Sequence, residues 1–260
     1  TILVDDQDPS SLGPVAREVV AARKHFGSFS SYQLLQLSSE NLKGYRGRNA
    51  EKIQVLDLDY ALLSKLLSSR PEQLSLEIPM KSRESIHLDL VKSDVLADGF
   101  QVFTSESQKT PFPYKKPLYY RGIVQGHEQH SLASISIFEN EIIGSFNMGE
   151  GNFVIQPNSD KPDQLIFFND QDFVSDFPFT CYTDELQPIQ KEARPRGVQA
   201  AGDCVRVYIE CDYALYQNKG GTTNTVNWIT AVFNNVKTLY TNESINTTVS
   251  EIFVWTTADS

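Results

Sequence analysis

The sequence predicts an α+β protein built in two unequal parts, and three observations predict it. Between residues 74 and 168, short β-branched and aromatic runs alternate with Gly, Pro, Asn and Asp at intervals of about 8 to 15 residues, the rhythm of a largely antiparallel sheet or sandwich. From Val205 onward the rhythm changes to one strand, one long helix and one strand. Between the two lies Leu186 to Gly202, with Pro188, Pro195 and Gly197 and no apolar periodicity, which reads as an exposed linker. The 260 residues therefore divide into a β-rich α+β domain at 1–185, a linker at 186–202 and an α/β unit at 203–260.

Taken in order, Thr1 to Pro14 is polar, and its Asp5, Asp6 and Asp8 lack the glycine and distal glutamate of a calcium loop, so it reads as a solvated terminus. Val15 to His25 has helical spacing. Ile53 to Leu58 reads as a strand, and Asp59 to Ser68 as a helix striped with Leu62, Leu63, Leu66 and Leu67 and stopped by Pro71. Eight β runs follow: Leu74–Ile78, Ser85–Lys92, Phe100–Thr104, Leu118–Val124, Leu132–Phe138, Glu141–Met148, Asn152–Gln156 and Gln164–Phe168. Glu139-Asn140 is the turn between two of them. Tyr119, Tyr120, Phe167 and Phe168 are read as sheet packing.

In the last unit, Val205, Val207, Ile209 and Cys211 alternate with Arg206, Tyr208 and Glu210, the period of a strand. Thr222 or Thr223 can cap a helix carrying Val226, Ile229, Val232, Phe233, Val236, Leu239 and Tyr240 at helical spacing. The apolar run around Val249 to Trp255 predicts a strand covered on both faces and parallel to the first. Two strands and a helix bury too little to be stable alone, so the unit is expected to pack on the preceding domain or on another chain.

A net charge of −10 excludes nucleic acid and anionic membranes as partners, because both draw affinity from Lys and Arg. No apolar run is long enough to span a bilayer. The chain opens on Thr1 without an apolar leader, as a mature secreted product does. Asn242 and Asn246 each begin a glycosylation tripeptide, a pattern common by chance. Three cysteines leave at least one without an intrachain partner. Cys204 and Cys211 stand an odd number of positions apart, so a regular strand points them to opposite faces and they do not bridge.

V-R-V-Y-I-E-C-D-Y-A-L-Y (Val205 to Tyr216), T-A-V-F-N-N-V-K-T-L-Y (Thr230 to Tyr240) and V-S-E-I-F-V-W-T-T-A-D (Val249 to Asp259) resemble the opening of the catalytic domain of metzincin zinc metalloproteases of the adamalysin/reprolysin branch and its secreted bacterial relatives. Upstream, I-H-L-D-L-V-K-S-D-V-L-A-D-G-F-Q-V (Ile86 to Val102), L-Y-Y-R-G-I-V-Q-G (Leu118 to Gly126), S-L-A-S-I-S-I-F (Ser131 to Phe138), E-I-I-G-S-F (Glu141 to Phe146) and N-F-V-I-Q-P (Asn152 to Pro157) look like the propeptide of the same branch. The resemblance implies a secreted, periplasmic or cell-surface zinc endopeptidase made as an inactive precursor, cutting peptide bonds with a zinc-activated water. Its zinc helix, H-E-x-x-H-x-x-G-x-x-H, is absent from this chain. The chain is then the inhibitory and folding propeptide plus an incomplete catalytic domain, inactive alone and without a cofactor of its own. Zinc belongs to the full-length parent, whose substrates are proteins or peptides, and the propeptide's partner is its own catalytic domain.

The resemblance also makes Cys181 a candidate cysteine switch, a thiolate filling the open zinc position. The alternatives are a disulfide with Cys204 or Cys211, or a plain buried thiol. Arg194 and Arg196, in R-P-R-G, are a candidate processing site, with a connector that is never cut as the equal alternative. Arg206 stands where some relatives place an acidic calcium ligand, so no calcium site is carried over. His127-Glu128-Gln129-His130 has i, i+3 spacing rather than the i, i+4 of a zinc helix and reads as a solvated turn. His25 and His87 are isolated in the sequence. P-loop, G-x-S-x-G and C-x-x-C patterns are absent. The other class of reading is a secreted β-rich binding or adhesion module with no protease activity.

Overall fold

The structure, a computed structural model, describes residues 11–40, 42, 52–81, 84–159, 161–172 and 204–258. In chain order the elements are α1 (Pro14–Phe26), β1 (Ser31–Tyr32), β2 (Leu35–Leu37), β3 (Gln54–Leu58), α2 (Tyr60–Ser69), β4 (Gln73–Ile78), β5 (Ile86–Lys92), β6 (Leu96–Thr104), β7 (Leu118–Val124), β8 (Leu132–Ile137), β9 (Ile142–Asn147), β10 (Asn152–Asn158), β11 (Lys161–Asn169), β12 (Cys204–Cys211), α3 (Tyr213–Lys219), α4 (Thr222–Asn242) and β13 (Asn246–Val254). The α+β class holds.

Ten strands form one curled sheet in the order β1-β4-β5-β7-β8-β9-β10-β11-β3-β2, antiparallel throughout except for the short parallel pair β1 and β4. Period-2 alternation sends Leu118, Tyr120 and Val124 of β7 to the inner face, with Ala133, Ile135 and Ile137 of β8 and Ile142 and Phe146 of β9. They close around Leu63 and Leu66 of α2, both buried. α2 starts where Asp59 Oδ1 accepts the Leu62 N–H at 2.9 Å. Phe146, Phe153 and Phe167 stack with centroids 5.2 to 6.1 Å apart. Each such side chain contributes about 1.5–3 kcal/mol by leaving water.

The outer face of this sheet carries α1 and α4. Arg121 on β7 grips Glu18 of α1 through two bonds of 2.9 Å, and Arg23 reaches Asp89 at 2.5 Å and Glu128 at 3.0 Å. Val19 packs there with Val91 and Ile123.

The second sheet has three strands, all parallel, in the order β12-β13-β6. β12 and β13 are parallel neighbours joined through α3 and α4, and the unit packs on the preceding domain. Four expectations need correction. The run around Phe100 to Thr104 leaves the large sheet: β6 pairs Gln101 to Thr104 with Glu251 to Val254 of β13, because β13 offers a free parallel edge. Two helices, not one, lie between β12 and β13, since Asp212 Oδ1 accepts the Leu215 N–H at 2.7 Å and caps α3. Neither Thr222 nor Thr223 caps α4. Gly221 does, at φ 134 after Gly220 at φ 75, two left-handed positions that only glycine holds cheaply. Finally, β13 is covered on one face: Thr247, Val249, Ile252 and Val254 are buried while Glu251 and Phe253 are half-exposed, the parity shifting at a bulge beside Ser250.

Candidate functional site

α4 lies between the two sheets and buries two different stripes. Val226 and Phe233, with Ile229 and Val236, face the small sheet's apolar cluster around Val249, Ile252 and Val254. The other stripe is polar: Asn227, Thr230, Asn234 and Thr238 are all buried, spaced by three or four residues. It meets a patch of the large sheet where β8 and β9 carry Ser134, Ser136 and Ser145. Small side chains there let the helix backbone approach.

The contacts across this face are specific. Asn234 Nδ2 donates to Tyr120 O at 3.1 Å, Ile135 O at 3.2 Å and Ser136 Oγ at 3.2 Å. Its Oδ1 accepts no hydrogen bond from the described residues. Asn235 Oδ1 accepts from the hydroxyls of Ser134 and Ser145. Lys237 Nζ donates to Asn246 Oδ1 at 3.1 Å and to Thr247 O at 2.5 Å, and burial holds its pKa below the ordinary lysine value. Thr230 and Thr238 return their hydroxyls to the helix, to Val226 O at 2.7 Å and Asn234 O at 2.8 Å.

At the N-terminal end of α4 the interface opens into a groove of ≈ 1550 Å³, lined by α2, the 113–117 segment, the β8–β9 turn and α3. Asn227 links its walls: Nδ2 donates to Glu141 Oε1 at 2.8 Å and Oδ1 accepts from Tyr114 OH at 3.0 Å. Burial raises the Glu141 pKa, opposed by the Asn227 bond and by nearby Lys219. Burial likewise pushes Tyr114 up to about 12. Lys219 Nζ sits 4.3 Å above the Trp228 ring.

Cys181, Arg194 and Arg196 lie outside the described residues, as does the linker at 186–202. Cys204 is exposed and Cys211 buried, both as thiols, and burial pushes Cys211 up to about 11. His127 to His130 is an exposed turn after β7, with Glu128 held by Arg23. Arg206 donates to Asp98 O at 3.4 Å. Among the described residues no group of three or more His, Cys, Asp or Glu is placed to hold a metal ion. No described helix is long and apolar enough to cross a membrane. Comparison with known proteins found no family model that matches the chain and no curated protein that matches it.

Sequence reading found the apolar stripe of α4 and missed the polar one. The signal was present: Asn227, Thr230, Asn234 and Thr238 repeat at helical spacing, and a repeat of short polar residues marks a second contact face as well as leucines do.

Proposed function

We propose that this chain is the propeptide and the first strand-helix-strand unit of a secreted zinc metalloendopeptidase precursor. The propeptide-like sheet acts as the template on which that unit folds and is kept inactive. The observation that carries the reading is the way β12, α4 and β13 are held. The preceding region supplies β6 as a third parallel strand and receives α4 through buried amides and hydroxyls. The apolar stripe of α4 and β13 is covered by β6, Tyr119 and Phe138 of the preceding region, the support that a short strand-helix-strand unit needs in order to fold. Catalytic residues and zinc ligands belong to polypeptide other than this chain, and Cys181 and the Arg194–Arg196 stretch keep the roles that the resemblance gives them.

The test is the product encoded by the whole gene. An H-E-x-x-H-x-x-G-x-x-H segment following residue 260, with bound zinc and casein hydrolysis after removal of residues 1–202, supports the precursor. A full-length product without that segment, zinc or proteolysis overturns it. The second reading, a secreted β-rich binding module, is favoured by the groove at Glu141, Asn227 and Trp228, and such a product would leave it standing.

A further inference from the structure

Four strands end the two sheets: β1 and β2 the large one, β6 and β12 the small one. A sheet edge is a row of unpaired N–H and C=O groups, and stable monomers shorten or cover it. β1 has two residues and β2 three. Along β6, Phe112 N donates to Val102 O at 2.7 Å, so the chain itself lies over that edge. β12 has eight residues and among the described residues pairs on one side only, with Val205 49% and Tyr208 51% exposed.

Its outward groups can be assigned. Trp255 N donates to Cys211 O at 2.9 Å and Ser250 Oγ to Val207 O at 3.0 Å, so odd-numbered residues turn their carbonyls toward β13. A strand residue sends its N–H and C=O to the same side, and sides alternate, so Arg206, Tyr208 and Glu210 present theirs to the open edge.

We propose that this edge is closed by β12 of a second copy of the chain, paired antiparallel about a twofold axis through Tyr208. Twofold edge pairing is antiparallel and self-complementary, and outward residues must oppose outward residues for the ladder to form. Any axis centred on a residue meets that condition, so the charges must choose among the registers. Centring on Arg206 sets Arg against Arg, and centring on Glu210 sets Glu against Glu. Only the Tyr208 register sets Arg206 of each copy opposite Glu210 of the other, and it also sets Val207 opposite Ile209 and Val205 opposite Cys211. Glu210 already accepts from Trp255 Nε1 at 2.6 Å through one oxygen, and Arg206 donates to Asp98 O, which leaves each side chain further groups for the cross-pair.

The inference concerns the 260-residue chain and does not depend on the precursor reading. Sedimentation velocity over a concentration series tests it. The wild-type chain forms a reversible dimer, while Arg206→Glu and Glu210→Arg, each alone, place like charges opposite one another twice and weaken it at least about tenfold. An equimolar mixture of the two variants re-forms a heterodimer, which a merely misfolded variant would not do. In a Cys181→Ser/Cys204→Ser background, Tyr208→Cys cross-links to itself on oxidation and Arg206→Cys does not. A wild-type chain that stays monomeric overturns the proposal, as does a dimer indifferent to the charge reversals or one that cross-links through Arg206→Cys. Any of those results leaves the precursor reading where it stood.

Discussion

The two faces of the large sheet bury different mixtures: the inner one is almost wholly apolar, while the outer one adds a polar patch to its apolar contacts with α1 and α4. Inside, Leu56, Leu74, Leu88, Ile135, Phe146 and Phe167 close over Leu63 and Leu66 of α2, and almost no polar side chain intrudes. Outside, where α4 crosses, Asn227, Asn234 and Asn235 meet Ser134, Ser136, Ser145 and Glu141. The inner face supplies stability, because apolar burial is non-directional and scales with area. The outer face supplies register, because hydrogen bonds are directional and add only about 0.5–1.5 kcal/mol each. α4 also shares an apolar cluster with Tyr119 and Phe138 of the large sheet, so its amides set its position more than its strength.

Mutations can break this contrast. The largest effect is expected from Gly122→Val on β7, where an added Cβ would lie 2.0 Å from the backbone Asp89 O of β5. The atoms it would meet, Asp89 O and C and Leu90 Cα, are all backbone and cannot swing aside, and the loss of about 4 kcal/mol or more should leave no cooperative melt by circular dichroism. Leu66→Ala on the inner face should cost about 3 kcal/mol in urea unfolding. Asn234→Ala should cost about 2 kcal/mol through the carbonyls and hydroxyl it abandons, with limited proteolysis cutting 204–258 before the large sheet. If Asn234→Ala proves as costly as Leu66→Ala and the whole chain melts as one, the contrast between faces is wrong.

Glu141 sharpens the contrast through pH. Burial raises its folded pKa above the ordinary glutamate value, so its stabilising contribution is complete below that ordinary value and is lost as pH rises through the folded pKa. Glu141→Gln keeps an oxygen for the Asn227 bond and removes the charge. Its melting temperature should therefore match the wild type near pH 4 and exceed it at pH 7. A gap that widens toward acid instead would show that the carboxylate, and not its protonated form, is what the groove favours. The smallest effect is expected from Tyr114→Phe, which removes one donor at the groove's wall and should cost about 1 kcal/mol or less.

Much of the secondary structure was legible in the chain. The leucine stripe of α2, the runs that became β4, β5 and β7 to β11, and the strand-helix-strand order after residue 203 all follow from local periodicity. The site was less legible. The Asn234 amide is meaningful only against the carbonyls of Tyr120 and Ile135, over 90 residues away in sequence. The groove gathers residues from five separate segments. Cys181, Arg194 and Arg196 lie outside the described residues, so their expected roles stand as proposals.

By itself the sequence determined where most strands and helices form and that the chain is α+β. Only the tertiary structure decided that β6 deserts the large sheet for β13, that α4 has a second, polar buried face, and that β12 has one neighbour among the described residues. The reason is physical: periodicity records which side of an element avoids water, whereas strand order and partner choice depend on which edge or face lies across from it. That pairing is settled by backbone hydrogen bonds, which every residue but proline can donate and which leave no mark on composition.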